Sequence, residues 1–237
     1  MPNFNIPKSI IGVLVFSAVL IGLLTWFAEH GINREPDLLL NKNGEIEELG
    51  GPLTAEERKV KQVAIINNMN PIAVLNTNKG IIKLELFGED MPITVSNFVT
   101  LAEEGFYDQT KFHRVIDGFM IQGGDPNSKS NDATNYGTGG PGYTIEDEFT
   151  EGELLTNVRG TIAMANTGQP NSGGSQFFIN LVDNTPLDFD KEPFSSKHPV
   201  FGRVIEGMDI VDAIAKSEVG QRDVPVDPIV IESVVIE

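Results

Sequence analysis

A chain of 237 residues, 40% of them hydrophobic, can bury the core of one domain of roughly 150 residues and still carry a further segment. Its formal charge of -17, from 34 acidic against 17 basic residues, argues against nucleic acid as a partner, because that affinity depends on Lys and Arg displacing counterions from phosphates. With no cysteine, disulfides, thiolate zinc sites and a cysteine nucleophile are excluded.

After a short N-terminus, residues 1–9, the stretch IIGVLVFSAVLIGLLTWFA at 10–28 carries no charge. As a helix it would run about 28 Å, close to the roughly 30 Å hydrocarbon core of a bilayer. This length predicts one transmembrane helix in contact with lipid, with Trp26 and Phe27 near the far interface; a buried core helix is the alternative. Lys8 precedes the span, while Glu29, Glu35 and Asp37 follow it. The positive-inside tendency therefore predicts a cytoplasmic N-terminus at the cell membrane and a C-terminal domain outside the cytoplasm, periplasmic or extracellular. A cleaved signal peptide competes with an uncleaved signal anchor; the long apolar run and the lack of an A-x-A site favour the anchor.

Residues 29–70 read as a polar juxtamembrane linker, broken at Gly50, Gly51 and Pro52. The spacing of Thr54 to Glu57 fits a capping box and predicts a helix over 55–67, which either spaces the domain from the membrane or packs on it. From 71 to 237 the chain reads as one domain. IAVLNT and IIKLELF, separated by Asn78, Lys79 and Gly80, predict an antiparallel hairpin. Pro92 to Glu104, with Val95, Phe98, Val99 and Ala102 at helical spacing, predicts an amphipathic helix. Short apolar runs with frequent turn residues then argue for a closed or nearly closed antiparallel barrel. A second helix is predicted from Glu206 to about Lys216, before a last strand at Ile229 to Ile236.

Several chemical motifs fail on inspection. GTGGPG at 137–142 matches G-x-G-x-x-G formally, but no strand leads into it and Pro141 interrupts it, so it reads as a turn-rich loop. Ser175 lacks the second glycine of a nucleophile elbow. His30, His113 and His198 lack metal-ligand spacing, and the segment around Asp188 and Asp190 lacks the glycine and glutamate of a calcium loop. No metal and no cofactor is predicted.

What remains is FHRVIDGFMIQGGD, GTGGPGY, AMANTG, GSQFFI and KHPVFGRVIEGMDIVD, in that order. Together these blocks resemble the signature segments of the cyclophilins, from about Ile72 to Glu237. The resemblance implies a mainly β fold, a closed eight-stranded antiparallel barrel capped by two helices, and a peptidyl-prolyl cis-trans isomerase acting on proline-containing polypeptides without a covalent intermediate. It implies Arg114 as the catalytic residue. Phe119, Met120 and Phe178 would form the proline pocket and Gln122 an orienting donor, with Ala165, Asn166, Gln176, Leu187 and His198 completing the groove. On pattern alone Phe119, Met120 and Phe178 read as core, Arg114 as a surface ion-pair residue, and His113 as structural. Pro186 stands where many cyclophilins carry an aromatic residue before Leu-Asp, and FDKEPFSSK is inserted before His198; both imply weakened cyclosporin binding. Folding of exported or membrane-associated proteins is the expected context. A peptide-binding chaperone or scaffold module with little turnover is the alternative.

Overall fold

A computed structural model of the chain describes residues 38–40, 46–48, 70–193 and 197–237. The chain divides into two compact units, Met1–Thr54 and Ala55–Glu237. In the first, β1 (Leu38–Leu40) pairs antiparallel with β2 (Ile46–Glu48). The expected membrane span at 10–28 and the expected helix at 55–67 lie outside the described residues. Among the described residues, no helix is long and apolar enough to cross a membrane.

The second unit opens with the hairpin of β3 (Ile72–Thr77) and β4 (Gly80–Leu86), in the register Thr77 opposite Gly80. Thr77 Oγ1 ties the turn by donating to Gly80 O at 2.6 Å. Gly80 has φ +136°, and a Cβ there would come within 2.8 Å of the Ile210 side chain, so the turn requires glycine. Helix α1 (Pro92–Glu103) begins on Pro92, whose missing N–H costs nothing in a first turn. Its free amides are capped from a distance: Ile93 N and Thr94 N donate to the Glu148 carboxylate at 3.0 and 2.9 Å. Burial runs unbroken from Thr94 to Ala102, deeper than the expected amphipathic face. The polar Asn97 tolerates this by donating to Gly174 O at 2.7 Å and accepting from Tyr143 Oη at 2.7 Å.

The remaining elements are β5 (Thr110–Lys111), β6 (Arg114–Ile116), β7 (Met120–Gly123), β8 (Thr161–Met164), β9 (Phe177–Asn180), β10 (Val200–Glu206), α2 (Met208–Ala215) and β11 (Val230–Ile236). Nine strands form one antiparallel sheet in the order β5-β11-β3-β4-β10-β8-β9-β7-β6. This corrects the expected closed eight-stranded barrel: the sheet is an open half-barrel, and its end strands β5 and β6 do not pair. The reason lies in the FHRVI run. β5 and β6 are two parts of one extended stretch interrupted at Phe112 and His113, where Phe112 N donates to Ile229 O at 2.9 Å and His113 N to Gln122 O at 3.0 Å. One part is committed to β11 and the other to β7, and consecutive segments of a single stretch cannot form a ladder with each other.

The two expected helices are both present, α1 against β11 and α2 against β4, β6 and β7. Phe98 of α1 packs on Tyr107, Phe177 and Phe201 with ring centroids 4.9, 5.7 and 5.6 Å apart. Such aromatic pairs each add roughly 0.5–1.5 kcal/mol beyond the area they bury. This cluster lies beneath the strands that carry the candidate site, since Phe177 belongs to β9.

Candidate active site

Strand order decides which side chains meet. β6, β7, β9 and β8 are consecutive in the sheet, with Arg114 opposite Gln122, Gln122 opposite Phe178, and Phe178 opposite Ala163. Directly paired residues project from the same face, so a cation, an amide and an aromatic ring form one row. The alternating Val115, Ile121 and Ile179 are fully buried on the interior face, whereas Arg114 and Gln122 stay partly exposed.

A polar relay runs along this row. Arg114 Nη1 donates to Gln122 Oε1 at 3.5 Å, Gln122 Nε2 to Gln176 Oε1 at 3.0 Å, and Gln176 Nε2 to Gly139 O at 2.8 Å. The GTGGPG segment thus borders the groove as an acceptor, with no resemblance to a phosphate cradle. Its seat is Asp125, a buried carboxylate that accepts from Asn127 N and Gly137 N. A Cβ on Gly139 would fall 2.2 Å from Asp125 Oδ1, so a larger residue there would have to displace that carboxylate from its two amide donors.

Met120 shares the outward parity of Gln122, yet it and Phe178 are nearly buried. For Phe178 the cover is His198, whose ring meets it edge-on at 5.4 Å and 82°. His198 N donates to Leu187 O at 3.0 Å, and its Nδ1 lies 3.1 Å from Met164 O. Ala165 N donates to Gln176 O at 2.9 Å, and Asn166 Nδ2 to Lys197 O at 2.6 Å, so the Asn166 side chain bridges two loops. Phe119 precedes β7, half-buried, its carbonyl accepting from Leu181 N at 2.9 Å and Asn184 Nδ2 at 3.0 Å. All the candidate residues therefore lie on this face or in loops bonded to it.

Sequence reasoning overlooked the network beneath the groove. Asp188 is buried and accepts from Thr156 Oγ1, Asn157 N and Asn157 Nδ2. Asn157 Nδ2 also donates to His198 O at 3.0 Å, while Asn180 Nδ2 donates to Asn157 Oδ1 at 3.0 Å and Asn184 Nδ2 to Asn180 Oδ1 at 2.8 Å. Asp223, whose carboxylate lies 3.6 Å from Arg114 Nε, was also overlooked. No short motif links these positions; of the network's residues only His198 stands within a quoted block.

Two depressions, of about 300 Å³ beside His113 and Tyr136 and about 470 Å³ beside Arg222, are lined by no candidate residue, and another that takes in His198 and Asp188 holds only about 10 Å³. An open face, which leaves both ends of a bound chain free, suits a polypeptide better than an enclosed cavity does. Among the described residues, no three His, Asp or Glu side chains converge as a metal site.

Two histidines tie the fold to pH. His113 is buried, and among the described residues neither of its ring nitrogens has a hydrogen-bond partner. Burial holds its pKa below the ordinary 6.5; Asp125 and the Lys111 backbone oppose this, while Arg114 and Arg222 reinforce it. Burial likewise lowers His198, against the Met164 carbonyl. A depressed folded pKa means that the unfolded chain takes up protons first. Stability from these residues is complete above about pH 6.5 and is lost as pH falls from there toward the folded values. Urea unfolding midpoints should decline between about pH 7.5 and 5.5, and more shallowly in His113→Phe; an identical slope in that variant would remove His113 from the account.

The chain's similarities converge on one family. Residues 72–236 match the family model described as cyclophilin type peptidyl-prolyl cis-trans isomerase/CLD. Peptidyl-prolyl cis-trans isomerase A of Mycobacterium tuberculosis is 45% identical over 181 residues, covering 69% of this chain and 91% of that protein. Peptidyl-prolyl cis-trans isomerase B of Escherichia coli is 42% identical over 172 residues, covering 70% and 99%. A cyclophilin type isomerase of Cryptosporidium parvum, solved in the presence of the dipeptide Ala-Pro, superposes with a TM-score of 0.60 at 33% identity, covering 70% of this chain and 98% of that one.

Proposed function

The chain belongs to the cyclophilin-type peptidyl-prolyl cis-trans isomerases and is an enzyme of that class, and on that premise we propose that the row Arg114, Gln122 and Phe178 carries the reaction. Rotation about an X-Pro bond faces a barrier of roughly 18–20 kcal/mol because amide resonance must be broken, while the two ground states differ by only about 0.5–1 kcal/mol. No covalent bond need change. Twisting the amide localises a lone pair on the prolyl nitrogen, and a guanidinium directed at that atom stabilises the twisted state. Arginine suits the task because its charge is permanent and its donors are spread over a rigid plane.

Phe178, with Phe119 and Met120 beside it, supplies the apolar wall that holds the proline ring. Gln122 and Gln176 hold the adjoining peptide, with Ala165, Asn166, Leu187 and His198 at the groove's margin. The single observation that carries this reading is the pairing of Arg114 with Gln122 and of Gln122 with Phe178, which sets a half-exposed cation two strands from a sheltered aromatic ring. A proline-peptide assay tests it: acceleration by the wild-type chain that is abolished when Phe178 and Arg114 are altered supports the groove.

The setting we propose is the membrane surface, with residues 10–28 as an uncleaved anchor, the domain outside the cytoplasm, and exported or membrane-associated proteins as clients. The uncharged run at 10–28 and Lys8 ahead of it support this reading. Protease added to spheroplasts should digest the domain; protection until the cytoplasmic membrane is breached would reverse the orientation. Cyclosporin binding is proposed to be weak, because Pro186 stands exposed in the one-turn segment Thr185–Leu187 where the family often has an aromatic wall. Nanomolar inhibition of the chain by cyclosporin would contradict that.

A further inference from the structure

The segment from Val219 to Pro225 closes on itself through an isolated bridge between those two residues, and Gly220 N donates to Val224 O at 2.8 Å. Inside it Arg222 and Asp223 both adopt left-handed backbone, with φ of 58° and 60°. Aspartate visits this region more readily than most residues, but arginine rarely does. Two in succession persist only where neighbouring contacts over-determine them. Here the contacts come from Arg222 itself, which donates from Nη1 to Thr134 O at 3.2 Å and from Nη2 to Ala133 O.

The consequence of this pinned turn is the place of Asp223, with Oδ2 3.6 Å from Arg114 Nε. On another edge of the same guanidinium, Nη1 reaches Gln122 Oε1 at 3.5 Å. We propose that Asp223 is a positioning residue: with Gln122 it fixes the guanidinium plane of Arg114, so that the remaining donors face the prolyl nitrogen. The proposal rests on the assignment of Arg114 to the reaction. Asp223 acts through Arg114 and touches no substrate. Arg114 and Asp223 are 43% and 44% exposed, so their attraction is sensitive to salt and serves orientation more than stability. Arginine has a long, rotamer-rich side chain, and small errors in its direction cost rate rather than affinity.

Asp223→Asn in the full chain is the test, because asparagine also tolerates left-handed backbone and removes only the charge. The expected result is a fall in kcat of about three- to tenfold with KM within about twofold. Wild-type kcat should fall as salt rises toward about 1 M, where the Debye length is about 3 Å, whereas the variant should show no such dependence. Asp223→Gly, which relaxes the backbone, should match Asp223→Asn; a wild-type kcat in the glycine variant would mean that only the turn's shape matters and would overturn the proposal. Arg114→Ala separates the two claims. If it retains wild-type kcat, the role of Arg114 fails and the positioning role with it. If it is impaired while Asp223→Asn keeps the wild-type kcat and salt dependence, Arg114 stands and Asp223 has no positioning role.

Discussion

Asp188→Ala is expected to lower the domain's stability by about 3 kcal/mol and its Tm by about 6–12 °C. The side chain is 3% exposed and accepts from Thr156 Oγ1, from Asn157 N at 2.7 Å and from Asn157 Nδ2 at 2.7 Å. Hydrogen bonds to a charged group contribute roughly 1.5–3 kcal/mol each, and a buried donor stripped of its acceptor retains its full desolvation cost. Alanine would strand three donors at once, although water entering the space would recover part of the loss. Asp188→Asn should lose less than half as much, because its amide oxygen still accepts from Asn157 while its nitrogen can donate to Thr156. The effect should extend to function. Asn157 also donates to His198 O, and Leu187 adjoins Asp188, so loosening this network displaces the wall over Phe178 and raises KM. Urea unfolding at neutral pH checks the first part; a change within about 0.5 kcal/mol, ordinary for a surface substitution, would show that the network does not hold the wall.

The local parts of this fold were legible because local chemistry determines them. The hairpin of β3 and β4 followed from alternation and Gly80. The first helix followed from Pro92 and apolar spacing, and both expected helices are observed, at Pro92–Glu103 and Met208–Ala215. Closure of the sheet was not legible, since the division of the FHRVI stretch into β5 and β6 is set by the pairing of β5 with β11, more than a hundred residues away. The site shows the same division. Its motif blocks pointed to Arg114, Gln122 and Phe178, but their alignment in one row is a matter of register between β6, β7 and β9, which no single run encodes. Met120 and Phe178 read as core by pattern, and their burial explains why: Phe178 faces outward and is then covered by His198. Asp188 and Asn157 are 31 positions apart, and Asp223 meets Arg114 only because Arg222 holds an unusual backbone, a feature without a sequence signal.

Arg114→Ala is expected to reduce kcat/KM for a proline peptide by about 10²–10³-fold. At 1.36 kcal/mol per tenfold, that is about 2.7–4 kcal/mol of a barrier of roughly 18–20 kcal/mol, a magnitude appropriate to one preorganised charge acting on the twisted amide. The loss should fall on the rate, because Phe178 and the glutamines that hold the peptide are untouched. Stability should change by no more than about 0.5 kcal/mol, since the side chain is 43% exposed and its ion pair with Asp223 is long. The decisive measurement is therefore the cis-trans exchange rate of a proline peptide with wild-type and Arg114→Ala chains whose folding and peptide affinity have been matched. The predicted result is strong acceleration by the wild type and a loss of at least about a hundredfold in the variant; a variant that binds the peptide and still isomerises it at the wild-type rate would contradict the assignment of Arg114 and of this groove.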